Sequence, residues 1–193
     1  TPTTVLKDLK FYLPGHHNLF NAVTALGMAI LAGSPTHRIP NALLSFKGVQ
    51  RRFTYKIKTK DLVLIDDYAH HPTEIDALFQ AVSEMYPHDK KSIVFQPHLF
   101  SRTKDFVNGF ARSLSQFDEV FLLPIYPARE QPIEGVTSQW LLDKTTNTKK
   151  QLVSKNSLPA IIKNSDCRIK LLVGAGDIGV EVHTITKYLL DEA

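Results

Sequence analysis

An apolar run, Leu62-Val63-Leu64-Ile65, breaks off into Asp66-Asp67-Tyr68-Ala69-His70-His71 and then into Pro72. Behind Pro72 come Ile75, Leu78, Phe79 and Val82 at helical spacing. Proline is favoured in the first turn of a helix, where its missing N–H costs nothing. The stretch therefore reads as a buried strand that opens into a helix, with two carboxylates, a phenol and two imidazoles at the junction. Strand ends of this kind are where α/β proteins gather ligand-binding groups.

The pattern repeats downstream. Strands are expected at 53–58, 62–65, 92–96, 119–123, 150–153 and 169–173, with helices at 72–85, 104–115, 138–143, 158–163 and 178–189. Strand–helix alternation implies a mostly parallel, Rossmann-like α/β sheet covered by helices on both faces. Upstream, residues 7–13 alternate polar and apolar, predicting a short strand before Pro14-Gly15. Residues 17–31 carry a helical apolar stripe closed by Gly33 and Pro35, and 40–46 reads as a second short helix. The period changes after Gly48, so two regions are expected: 1–47, the helical end of another domain, and 48–193, one complete α/β domain.

Composition narrows the function classes. The chain of 193 residues has a formal net charge of +4, and its Lys and Arg are scattered rather than clustered with aromatics. That argues against nucleic acid as a partner and suits a phosphate-bearing small substrate. A single cysteine, Cys167, excludes a disulfide framework. No apolar run approaches the ~20 residues of a membrane span, and a cytoplasmic protein without membrane contacts is expected. The chain starts at Thr1 with no opening domain signal, which reads as a piece of a longer protein.

Four segments could carry chemistry. At Asp66–Glu74, a metal site would need His70 and His71 to reach one ion, although neighbouring strand residues point apart. Hydrogen bonding to a polar ligand suits the mixture better, and a capping network is the structural alternative. Phe95-Gln96-Pro97-His98, with Ser101-Arg102-Thr103, also follows a strand, so Arg102 falls on the same sheet edge as Tyr68 and His70 and could grip a carboxylate. His17, Asn18 and Asn21 open the first helix, and asparagine amides match the donor–acceptor edge of adenine. Finally, Gly174-Ala175-Gly176-Asp177-Ile178-Gly179 fits the dinucleotide fingerprint, but no second strand and acidic residue follow before Ala193, which argues against an NAD site.

Taken together these segments resemble the Mur ligases, ATP-dependent amide-forming enzymes of peptidoglycan synthesis. The resemblance runs through Gly-His-His-Asn-x-x-Asn (15–21), Gly-Val-x-Arg-Arg-Phe (48–53), Asp-Asp-Tyr-Ala-His-His-Pro-Thr-Glu (66–74), Phe-Gln-Pro-His (95–98) with Ser-Arg-Thr (101–103), and Gly-Ala-Gly-Asp-Ile (174–178). It implies the end of a central ATPase domain followed by the family's C-terminal domain. The second and third motifs of the α/β part are most similar to the branch that joins L-alanine to UDP-N-acetylmuramate through an acyl phosphate. The resemblance implies that His17, Asn18 and Asn21 contact adenine, that Arg52 reaches the ATP phosphates, and that Asp67 takes the ribose. It implies further that Tyr68, His70, His98 and Arg102 line the place where the muramoyl carboxylate meets alanine. Leu99 and Phe100 depart from the family's usual Arg and Tyr. No G-x-x-G-K-[ST] loop occurs in the chain, so the phosphate loop and the Mg2+ ligands are expected before Thr1, in the missing N-terminal and central domains. The chain alone is expected to be inactive. The alternatives are the related ligase that attaches a tripeptide to the same UDP-sugar, a non-catalytic nucleotide-binding module, and an NAD-dependent domain.

Overall fold

The computed structural model describes residues 5–191, and the chain divides between Val49 and Gln50 into two compact units. The first unit contains α1 (His16–Leu31) and α2 (Ile39–Ser45). The strand expected at 7–13 is absent: these residues have no regular secondary structure. Asp8 turns the chain with φ of 57°, and among the described residues of this unit no strand is available to supply a ladder. Alternation marks two faces, but a strand also needs a hydrogen-bonding partner. Leu13 instead packs over Gly48, where a Cβ would lie 3.1 Å from its side chain.

The second unit contains β1 (Thr54–Lys58), β2 (Val63–Asp67), α3 (Pro72–Met85), β3 (Lys91–Phe95), α4 (Phe100–Asp105), α5 (Val107–Leu114) and β4 (Glu119–Leu122). It continues with α6 (Ser138–Asp143), β5 (Lys149–Leu152), α7 (Leu158–Asn164), β6 (Ile169–Val173) and α8 (Ile178–Asp191). The six strands pair in the order β1-β2-β6-β3-β4-β5. Only the β1–β2 pair is antiparallel.

The apolar runs follow from burial on both faces. Val63, Ile65, Ile93, Phe95, Leu171 and Val173 pack against α3, α5 and α6. Their alternating neighbours Leu64, Val94 and Leu172 pack against α7 and α8. Helices following β2 and β3 thus cover one face, while the helix following β6, which lies between those strands, covers the other. This reversal opens a crevice at the carboxyl end of β6.

The helix expected at 104–115 is instead two helices, α4 and α5, and it begins earlier. Phe106, with φ of −110° and ψ of 18°, breaks the helical run. Gly109 explains the bend in part, because it lets α5 press against Pro72 at the start of α3: a Cβ there would lie 3.0 Å from the proline ring.

Candidate functional site

The site grows from the ends of β2 and β3. Asp67, the last residue of β2, has 7% exposure. Its Oδ2 accepts the Phe53 N–H at 2.7 Å and its Oδ1 accepts the Ala69 N–H at 2.8 Å. Tyr68 N–H then donates to the Arg51 carbonyl at 2.7 Å. These bonds hold the 51–53 turn in place although Arg51 and Phe53 have φ of 58° and 48°, values that non-glycine residues rarely adopt. Asp67, expected from the resemblance to meet ribose, is thus also a brace for this turn.

The clamped turn presents two arginines. Arg51 pairs with buried Asp66 at 3.3 Å and donates to the Gly174 carbonyl at 2.5 Å. Burial pushes the Asp66 carboxyl up, against the lowering effect of Arg51. The Arg51 and Arg52 guanidinium carbons lie 5.2 and 5.6 Å from the centre of the Tyr68 ring, within cation–π range.

From Tyr68 a belt of aromatic rings crosses the sheet edge. Tyr68 meets His70 edge-on at 5.4 Å, His70 meets His98 at 6.3 Å, and His98 stacks on Tyr126 at 5.6 Å. Arg102 closes the belt, with Nη1 3.3 Å from His98 Nδ1. The structure therefore brings together Arg52, Tyr68, His70, His98 and Arg102, which lie far apart in the chain.

Partners fix the tautomers of both imidazoles. His70 Nδ1 lies 2.9 Å from the Tyr68 carbonyl and 3.3 Å from Glu74 Oε2. A carbonyl can only accept, so Nδ1 of His70 carries the proton and Nε2 is its acceptor. His98 is the reverse, because a guanidinium can only donate: Nδ1 accepts and Nε2 carries the proton. Burial, then Arg102 and His70, hold the His98 pKa below its ordinary value, with Glu130 acting the other way. The pair of histidines thus offers one acceptor and one donor beside three arginines, Arg51, Arg52 and Arg102.

His71 turns away from this belt. Its Nδ1 accepts the Thr73 N–H at the start of α3, and its ring meets Phe106 at 4.5 Å. Glu74 completes the cap, its Oε2 accepting the His70 and His71 N–H groups at 2.8 and 3.2 Å. It also faces Arg52 at 3.9 Å.

The glycine motif serves packing between elements. Gln96 Oε1 accepts the Ile178 N–H at 2.8 Å, while its Nε2 donates to Asp177 Oδ1 at 2.7 Å. Asp177 also pairs with Lys155. Burial would raise its carboxyl, but the bonds from Lys155 and Gln96 outweigh this and hold it low. A Cβ on Gly174 would stand 2.8 Å from the Gln96 carbonyl, one on Gly176 2.8 Å from the Tyr126 Cβ, and one on Gly179 2.6 Å from the Arg51 guanidinium. Gln96, Tyr126 and Arg51 thus stand directly against these three glycines.

In the first unit, Asn18 is buried and donates from Nδ2 to the Pro14 carbonyl at 2.7 Å, which ties the first turn of α1 to the segment before it. Asn21 is exposed and His17 half-buried on the same helix.

Arg51, Glu74, Tyr126 and Glu130 were not among the residues expected in the site. The signal for the last two was available: β4 also ends at this edge, so the polar loop after it falls beside 95–98. At the opposite, amino-terminal edge lies an open groove of about 460 Å3 lined by Glu119, Lys149 and Asp166 among others. Lys149 pairs there with both acids, so the charges of that groove are already matched. Among the described residues, no helix is long and apolar enough to cross a membrane.

The family described as Mur ligase, glutamate ligase domain, matches residues 51–178. A UDP-N-acetylmuramate–L-alanine ligase of Christiangramia forsetii is 62% identical over 193 residues, covering 100% of this chain and 43% of that protein. One of the same name from Flavobacterium johnsoniae is 60% identical over 189 residues, covering 98% and 42%. The crystal structure of a UDP-N-acetylmuramate–alanine ligase from Thermotoga maritima superposes with a TM-score of 0.80 at 27% identity, over 99% of this chain and 42% of that one. A murein peptide ligase from Psychrobacter arcticus shares the fold, with a TM-score of 0.67 at 19% identity over 94% and 38%. The chain spans less than half of each of these relatives. With the family matched from the 51–53 turn to the start of α8, and relatives at 60% identity and above, the chain belongs to the Mur ligase family.

Proposed function

We propose that this chain is part of an ATP-dependent ligase that joins L-alanine to the carboxylate of UDP-N-acetylmuramate in the cytoplasm, during peptidoglycan precursor synthesis. Residues 1–47 would be the end of its central ATPase domain and 48–193 its C-terminal domain. The observation that carries the reading is the convergence of Tyr68, His70, His98 and Arg102 on one sheet edge. Relatives at 60% identity and above that bear the name UDP-N-acetylmuramate–L-alanine ligase support it.

The chemistry is two-step. A carboxylate oxygen attacks the γ-phosphorus of ATP, ADP leaves, and an acyl phosphate forms. The alanine amine then attacks the acyl carbon, loses a proton, and phosphate departs. Both substrates and the triphosphate are anionic, so their approach needs fixed positive charge in a site sheltered from water. Arg102 supplies that charge for the alanine carboxylate, with the Nε2–H of His98 as a further donor. Tyr68 and His70 form the opposite wall, where the Nε2 lone pair of His70 can hold an ammonium or amine hydrogen. Arg52 is assigned to the ATP phosphates, Asp67 to the ribose, and His17, Asn18 and Asn21 to adenine. Among the described residues no group of three or more His, Cys, Asp or Glu is placed to hold a metal ion. The Mg2+ ligands are assigned to the part of the protein before Thr1.

The test is phosphate release by the whole ligase with ATP, Mg2+ and UDP-N-acetylmuramate, adding L-alanine, glycine, L-serine or the tripeptide in turn. Release that requires L-alanine is expected. Release only with the tripeptide would assign the chain to the murein-recycling ligase, and none with any acceptor would leave a binding module. The 193-residue chain alone is expected to give no release.

A further inference from the structure

The loop between β4 and α6 enters the site from a distant part of the chain, and its contacts are not those of a passive wall. Tyr126 N–H donates to the Pro97 carbonyl at 2.8 Å, and Leu99 N–H returns a bond to the Tyr126 carbonyl at 2.9 Å. The Tyr126 ring lies nearly parallel to His98, at 26°. Four residues on, Glu130 takes both polar hydrogens of Ser101: Oε2 accepts the backbone N–H at 3.0 Å and Oε1 the hydroxyl at 2.5 Å. Ser101 precedes Arg102 on α4, so a force on one is transmitted to the other within a single turn.

We infer that Glu130 is a positioning residue, which pins the first turn of α4 so that Arg102 meets His98, and sets a negative charge beside that pair. Without this anchor α4 has little to define its start. Its N-cap, Leu99, makes no side-chain capping bond and sits at φ of 73°. Such a backbone persists only where its surroundings over-determine it, and the bonds of Tyr126 and Glu130 are those surroundings. The groups facing His98 are Arg102 from α4, His70 from the end of β2, and Tyr126 and Glu130 from this loop. Of their charges only that of Glu130 favours the imidazolium. Hydrogen bonds from Ser101 in turn hold the Glu130 carboxyl low, so it stays ionised.

The inference rests on the proposed function only for its kinetic arm. Three proteins are compared, wild type, Glu130→Gln and Glu130→Asp, first as the 193-residue chain by proton NMR of the His98 ring against pH. Removing the charge in Glu130→Gln should lower the pH at which His98 titrates, and Glu130→Asp should return it toward wild type. In the whole ligase Glu130→Gln should raise the KM for L-alanine about tenfold, the scale of one weakened charge-assisted hydrogen bond, with the KM for ATP unchanged. An unmoved His98 titration in a Glu130→Gln chain that melts like wild type would overturn the inference. A titration that moves while alanine KM does not would uphold the hold of Glu130 on the pair and instead sink the assignment of that pair to alanine.

Discussion

Arg102 points its Nη1 at His98 Nδ1 across 3.3 Å, a contact that only a neutral imidazole can accept. The pair is therefore a donor array with a fixed proton on Nε2, and its protonation is its most readable property. Replacing Arg102 with Gln removes the second-largest influence holding His98 below its usual value, while burial, the largest, remains. The His98 titration should rise but fall short of the usual 6.5, as read by NMR. A titration that stays still or falls would contradict the pairing.

The same pair sets a sign for stability. His98 has a folded pKa below its unfolded value, so the unfolded chain binds the extra proton first. Its contribution is complete above pH 6.5 and is lost as pH falls through the lowered value. Urea midpoints of wild type should drop on acidification through this window, more than those of His98→Phe. Equal drops would remove His98 as a source.

Asp67 makes a separable claim. Both carboxylate oxygens hold backbone N–H groups in a buried turn, and bonds to a charged acceptor contribute about 1.5–3 kcal/mol each. Asp67→Ala should cost roughly 3 kcal/mol in urea unfolding. A loss under about 1 kcal/mol would mean the 51–53 turn is held by other bonds.

Much of this fold was legible, for a definite reason. β2, β3 and β6 are buried on both faces, so each carries a short apolar run, at 63–65, 93–95 and 171–173, too short for a helix. The Tyr68, His70, His98 and Arg102 set was legible because parallel strands put their carboxyl ends on one edge. The segment 7–13 misled because alternation says nothing about a partner strand. The break at Phe106 depends on how closely Gly109 meets Pro72, which lies in α3. Arg51 depends on two left-handed residues whose cause, Asp67, lies in the next strand. Glu130 reaches Ser101 across 29 positions, and no local pattern marks that meeting.

Leu99 tests backbone strain. At φ of 73° and ψ of 134° a side chain costs about 1–3 kcal/mol. Leu99→Gly should relieve that, offsetting its lost packing and its gain in unfolded-state freedom, and leave stability within about 1 kcal/mol of wild type. Leu99→Ile should lose roughly 2 kcal/mol, because β-branching is worst tolerated there. Denaturant unfolding of the two variants decides it, and an equal loss in both would contradict the strain.

Two glycines give an internal contrast. Gly176→Ala would drive a Cβ into Tyr126 and the Gln96 side chain, costing roughly 2 kcal/mol by overpacking. Gly27→Ala, inside α1 with nothing within 4 Å, should stabilise by about 0.5–1 kcal/mol. Thermal melts that rank the two the other way would refute the packing at Gly176.

The most direct test of the site is the steady-state rate of the whole ligase with Arg102→Gln, varying L-alanine and ATP separately. Binding of the alanine carboxylate by Arg102 predicts a KM for alanine raised at least about tenfold, with the KM for ATP unchanged. A raised KM for ATP beside an unaltered one for alanine would contradict it and move Arg102 to the nucleotide.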